Sequence, residues 1–193
     1  MDNFDLEFGM LTQVASAFHS QQTRKGKDED EHGLRMPYIV HPLQVLRRLQ
    51  AWGITARTEL NKSLWKALLF HDSVEDTCMT YEYLVGLIGR LAADIVMELS
   101  HRPGEDKKLF MASFGTKSID SLVGKIADRL ENVEDFILDA PGYAKKYFHK
   151  ADHVFQTFEA RYEEVVERFG KETAERIAED IKSTALRLSN LKW

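Results

Sequence analysis

At 193 residues the chain has the length of one domain and can bury a sizeable core without covalent staples. Hydrophobic residues make up 44% and charged residues 30%, an ordinary globular balance, and no stretch approaches the roughly 18 apolar residues that span a bilayer. A net charge of −5 argues against binding nucleic acid polymers through a basic surface, but leaves open an anionic small molecule received by local cations or a metal.

Apolar residues recur at spacings of three and four, strict two-residue alternation is nearly absent, and there are only four prolines, so the elements are expected to be helices. The first helix is predicted over Leu6–Ser20, followed by a polar loop over residues 21–37. A second helix begins near Tyr38 and ends before Gly53, with Pro42 in its first turn, where a missing N–H does no harm. A third spans about Glu59 to Glu75. Thr80 is the expected N-cap of a fourth, Tyr81–Gly89. Leu91–His101 forms a fifth, stopped by Pro103-Gly104, and residues 102–116 read as loop or broken helix. Ile119–Leu138 is helical up to Pro141-Gly142. Two long helices, Tyr143–Phe169 and Lys171–Leu188, meet at Gly170. With no repeat, low-complexity tract or linker, the expectation is one all-α domain over residues 1–193. Cys78 is the only cysteine, which excludes an intramolecular disulfide and fits a reducing compartment. The first residues, Met1-Asp2-Asn3-Phe4, lack the basic start and apolar run of a signal peptide, so a cytoplasmic protein is expected.

The chemistry concentrates in the third helix. Leu64 and Leu68 precede His71 by seven and three residues, and His71, Asp72, Glu75 and Asp76 fall within an arc of roughly 140°. A buried stripe that runs into four ionisable groups needs partners for them, and a divalent metal is the simplest partner for a histidine beside carboxylates. A lone His-Asp pair is more often a solvated helix end. The set gains weight from His41 at a helix start and from Asp128 and Asn132, four apart on one face. Arg129 could pair with Asp128 or a neighbour and orient it. Taken singly, His41 reads as a surface or capping histidine, and Asp128-Arg129 as an ordinary surface pair.

Four segments in order, Arg24-Lys25-Gly26, Pro37-Tyr38-Ile39-Val40-His41-Pro42-Leu43, Ala67-Leu68-Leu69-Phe70-His71-Asp72-Ser73-Val74-Glu75-Asp76-Thr77 and Lys125-Ile126-Ala127-Asp128-Arg129-Leu130-Glu131-Asn132, resemble the HD hydrolase domain of the RelA/SpoT homologue superfamily. The likeness is greatest to its small stand-alone alarmone hydrolases and covers about residues 10–165, with C-terminal helices to 190. The resemblance implies a helical HD bundle that removes pyrophosphate from the 3′ position of guanosine tetra- or pentaphosphate. It implies one metal, manganese, on His41, His71, Asp72 and Asp128. Glu75 and Asp76 would handle the water and its protons. Arg24, Lys25 and Asn132 would contact the nucleotide, and Tyr147, in Lys145-Lys146-Tyr147-Phe148, its sugar and phosphates. Two imidazoles and two carboxylates suit manganese, iron or another transition metal better than magnesium.

Two departures from the family pattern leave the substrate open. An acidic insertion fills residues 27–36, and Glu134-Asp135 follows Asn132 where the family often has a basic residue. Another phosphorylated nucleotide, such as the 2′-phosphate of NADPH, or a non-catalytic alarmone-binding module are the alternatives. Monomer and homodimer are both open. Cys78 is read as structural, His101 and Arg102 as loop residues, and His149 and His153 as surface residues, although their spacing of four could mimic a metal pair.

Overall fold

A computed structural model describes residues 3–24 and 35–191, apart from the side chains of 138 and 139. The described residues form twelve α-helices: α1 (Asn3–Phe18), α2 (Val40–Ala51), α3 (Glu59–Leu69), α4 (Ser73–Asp76), α5 (Tyr81–Ile88), α6 (Arg90–Leu99), α7 (Lys107–Ala112), α8 (Ile119–Asp139), α9 (Pro141–His149), α10 (Asp152–Ala160), α11 (Tyr162–Phe169) and α12 (Lys171–Asn190). No strand occurs among the described residues, and the expected all-α class is observed; one isolated bridge joins Thr23 to Pro37.

Capping chemistry fixes several helix starts. Thr58 accepts from the Asn61 amide at 3.2 Å and Thr80 from Tyr83 at 3.3 Å, so the expected Thr80 cap is observed. Asp106 accepts from Lys108 and Leu109 and starts α7 inside the segment expected to be loop or broken helix. Ser118 caps α8 through the Ser121 amide at 3.1 Å.

Helix α8 is the axis of the fold. Leu122, Val123, Ile126, Ala127, Leu130 and Val133 are all fully buried, at the spacings that place them on one broad face. Around them pack α2, α3, α6, α9, α10, α11 and α12. Within this apolar band Lys125 and Asp128 are also buried, and those two positions open the core to the functional site.

Two predicted helices are broken. The expected Glu59–Glu75 helix ends at Leu69, and a turn over residues 70–72 leads into the short α4. Local bonds carry that break: the Ser73 amide and hydroxyl both donate to the Phe70 carbonyl, at 2.9 and 2.7 Å, and His71 Nδ1 lies 2.8 Å from the Leu68 carbonyl. The expected Tyr143–Phe169 helix is three, α9 to α11, and Pro141 occupies the first turn of α9 as well as ending α8.

Candidate metal centre and its cavities

Three elements far apart in sequence bring the cluster together. His41 lies in the first turn of α2, His71 in the turn after α3, and Asp128 midway along α8. All three are buried, and one ligand atom from each lies within 4.8 Å of the others, the one such group among the described residues. His41 Nε2 is 3.2 Å from Asp128 Oδ1, and His71 Nε2 is 3.8 Å from the same oxygen. Asp72 stands at the edge of the cluster, its Oδ2 3.2 Å from His71 Nε2 and 4.0 Å from His41 Nε2.

Neighbours hold each of these groups. The Tyr38 hydroxyl donates to Asp72 Oδ2. Lys125 Nζ is 3.0 Å from Asp128 Oδ2, and Asn132 Nδ2 donates to Asp128 Oδ1 at 2.6 Å. With the Leu68 carbonyl on its Nδ1 side, His71 turns its Nε2 towards the carboxylates, the orientation that metal-ligating histidines adopt. That Nε2 is buried with no hydrogen-bond partner.

The electrostatics call for a cation at this point. Burial pulls His71 down, but the Asp72 and Asp128 carboxylates outweigh it and push the imidazole up to about 10. Burial likewise lowers His41, against its bond to Asp128. Burial opposes ionisation of Asp72 and Asp128, yet His71 holds the first, and Lys125 with the two imidazoles holds the second, below the usual carboxylate range. A mixed nitrogen and oxygen donor set with an orphaned imidazole nitrogen fits a divalent transition metal.

Above the cluster lies a cavity of about 600 Å³. Asp72, Glu75, Asp76, Asp128, Asn132, Arg24 and Tyr147 all reach its wall, so these predicted site residues are brought together. Glu75 accepts from the His101 amide at 2.7 Å, and burial pushes its carboxyl up against that bond. His101 therefore belongs to the site through its backbone, which side-chain reading of a loop histidine does not reveal. Tyr147 packs its ring under the Arg129 guanidinium, 4.7 Å away.

The surroundings of several predicted residues differ from expectation. Arg129 does not orient Asp128; that position is taken by Lys125 and Asn132. Arg24 faces the cavity already paired, donating to Asp135 Oδ2 from Nε at 2.8 Å and from Nη2 at 2.5 Å, and to Asn132 Oδ1 at 3.1 Å. Thus Asp135 anchors a cation. Glu134 points elsewhere, to Arg187 at 2.5 Å and Arg48 at 3.9 Å. Cys78 is exposed and has no core role. His149 and His153 are exposed, as expected; His149 pairs with Asp152 at 3.6 Å, and His153 joins no metal-type group among the described residues. Lys25 and residues 27–34 of the acidic insertion lie outside the described residues. No described helix is long and apolar enough to cross a membrane.

No family model matches the chain. It is 32% identical over 149 residues to the guanosine-3′,5′-bis(diphosphate) 3′-pyrophosphohydrolase MESH1 of Xenopus tropicalis, covering 72% of this chain and 78% of that one. A probable enzyme of the same activity from Mycoplasma pneumoniae is 28% identical over 113 residues, but those are only 15% of its length. Among solved structures, a metazoan SpoT ortholog described as hydrolysing ppGpp superimposes with a TM-score of 0.69 at 23% identity, covering 93% of this chain and 96% of that one. That likeness establishes the fold.

Proposed function

The chain belongs to the MESH1 family of guanosine-3′,5′-bis(diphosphate) 3′-pyrophosphohydrolases, and from that premise we propose that it hydrolyses guanosine tetra- or pentaphosphate at the 3′ position and releases pyrophosphate. The observation that carries this reading is the buried cluster of His41, His71 and Asp128, set beneath a cavity whose wall holds Asp72, Glu75 and Asp76. Residues 1–193 act in this reading as one HD hydrolase domain. A cytoplasmic setting belongs to the same proposal and rests on the single unpaired cysteine.

His41, His71, Asp72 and Asp128 would hold the ion, which we take to be manganese. When bound, it supplies a Lewis acid that acidifies water and neutralises charge on phosphorus. The remaining work belongs to side chains. Tyr38 keeps Asp72 turned inward, and Lys125 and Asn132 fix the two oxygens of Asp128. Glu75, fixed by the His101 amide and raised in proton affinity, takes the proton of the attacking water. Asp76 orients that water or returns a proton to the 3′ oxygen as it leaves. Asn132, which links Asp128 to Arg24, is placed to touch the nucleotide and the metal ligand together.

The test is a substrate screen on manganese-loaded protein, with Asp72→Ala alongside. Guanosine 3′,5′-bis(diphosphate) should yield GDP and pyrophosphate, and Asp72→Ala should lose at least about a hundredfold in turnover. Full metal loading without turnover would sink the proposal, as would wild-type rates in Asp72→Ala. Release of phosphate from NADPH in the same screen, without alarmone turnover, would move the chemistry to that substrate.

A further inference from the structure

Beside the cavity above the metal cluster lies a second one of about 800 Å³ that shares part of its lining. Glu75, Lys107, Lys125, Arg129, Tyr143 and Tyr147 form the wall between them. Arg129 stands at this junction. It follows Asp128 directly, so it projects about 100° round α8 from the metal ligand.

Its environment differs from that of the ion-paired arginines of this chain. Arg24, Arg48, Arg161, Arg168, Arg176 and Arg187 each sit within 2.7 Å of a carboxylate. Arg129 has no carboxylate within ion-pair distance among the described residues. Its Nη2 lies 3.8 Å from the Met111 sulfur, its guanidinium lies over the Tyr147 ring, and its Nε is buried without a hydrogen-bond partner. A sulfur atom and an aromatic face hold such a group in place without neutralising it.

Beyond Arg129 the charged groups that line the second cavity are nearly all cationic, set among apolar and aromatic side chains. Lys107, Lys108, Lys146 and Lys150 line it, and among the described residues none of them is in an ion pair and Glu75 is the cavity's one carboxylate. The chain as a whole carries a net charge of −5, so this concentration of positive charge is local. A fixed guanidinium fork facing a lysine-lined hollow is the arrangement that receives phosphate oxygens.

We propose that Arg129 and these lysines seat a second phosphate chain of the substrate, the one remote from the phosphate under attack. Selection then falls on nucleotides phosphorylated at two positions. Arg129 takes the nearer phosphate with its fork, and the rim lysines take the farther ones. This rests on the metal cluster being the seat of the 3′-pyrophosphate.

The experiment is steady-state kinetics of the manganese-loaded protein on guanosine 3′-diphosphates carrying two, one or no phosphates at the 5′ position. In the wild type KM should rise about tenfold from two 5′ phosphates to none, with kcat changing far less. In Arg129→Gln that dependence should collapse towards a ratio of one, and Arg129→Lys should restore it in part. The rim variant Lys146→Glu, on an exposed side chain, should weaken the dependence without touching the core. Added inorganic tripolyphosphate should compete with the 5′-diphosphate substrate. Activation by it, with no effect of 5′ phosphates on KM, would assign the seat to a free anion and overturn the proposal. A wild-type KM independent of the 5′ chain, or an Arg129→Gln loss confined to kcat and equal on all three substrates, would also overturn it. No turnover on any member defeats the hydrolase reading instead. In that case calorimetric binding of tripolyphosphate still decides, since binding that survives both Arg129→Gln and Lys146→Glu removes the seat.

Discussion

Arg24 is only 8% exposed, and it shares its charge with Asp135, itself 5% exposed. Two of its nitrogens reach one carboxylate oxygen, and Nη2 also bonds Asn132, so this side chain joins the chain segment before residue 25 to α8. The Arg24 amide donates to the Met36 carbonyl at 2.9 Å and the Tyr38 amide to Gln22 at 3.2 Å, which closes the neck of the 24–38 segment directly over the cavity. Removing one partner of a buried pair costs far more than the pair contributes, because the other charge keeps its desolvation cost. Arg24→Ala is therefore expected to lower stability by about 3 kcal/mol, while Arg24→Ala combined with Asp135→Ala should recover part of it. Urea unfolding of the two variants and of Asp135→Ala measures this coupling. If Arg24→Ala unfolds at the wild-type midpoint and only KM changes, the arginine belongs to the substrate alone, as the sequence resemblance by itself suggests.

Among the elements, the crossing of α3 and α8 decides how the site is held. Gly124 lets the two helices approach: a Cβ there would lie 2.8 Å from Leu68 Cδ2, inside a fully buried contact. The Leu68 carbonyl faces His71 Nδ1, so displacement of this residue is felt at the metal ligand. A mid-helix alanine gains about 1 kcal/mol in propensity over glycine, and overpacking of a closed core costs about 1–3 kcal/mol. Gly124→Ala is thus expected to be destabilising by about 1 kcal/mol and to weaken metal binding, and Leu68→Ala in the same chain should relieve the clash. Thermal melting together with a manganese titration checks both parts; a Gly124→Ala protein more stable than wild type would refute the close-contact argument. The same crossing explains what could be read in advance. The stripe of Leu64 and Leu68 was legible and correctly pointed at His71. The break at Phe70 was not, because it depends on Ser73 and His71 bonding back to the carbonyls of Phe70 and Leu68, with no glycine or proline to announce it. The turns at Lys150 and Arg161 are silent for the same reason. Pairings across the fold, such as Arg24 with Asp135, leave no local mark in sequence at all, whereas ordered motifs around His41, His71 and Asp128 do.

For the molecule as a whole, the cluster is a knot between α2, the turn after α3, and α8. A second tie runs parallel to it: Arg48 on α2 bonds Glu131 on α8 at 2.7 Å and Asp180 on α12 at 2.6 Å, and Trp52 adds a bond to Asp180 at 2.9 Å. The second tie is complete within the protein. The first brings the Asp128 carboxylate and two imidazoles together in the core with Asp72 at their edge, where an ion that binds only the folded chain would offset their mutual cost. Linkage then fixes the size of the effect. Free manganese at a hundred times its Kd adds about 2.7 kcal/mol to folding stability, worth roughly 5–10 °C in Tm for a chain of this size. The manganese-loaded protein should melt higher than the chelator-treated protein by about that margin, and the rise should grow with the logarithm of metal concentration. Asp128→Ala removes a ligand shared by both imidazoles and should abolish the rise, whereas Glu75→Gln, which leaves the ligands in place, should keep it while losing turnover. Calorimetric scans of the three proteins with and without metal separate these outcomes. A metal-induced rise that persists in Asp128→Ala would place the ion elsewhere, and a rise lost in Glu75→Gln would make that carboxylate a ligand instead of the group that takes the proton.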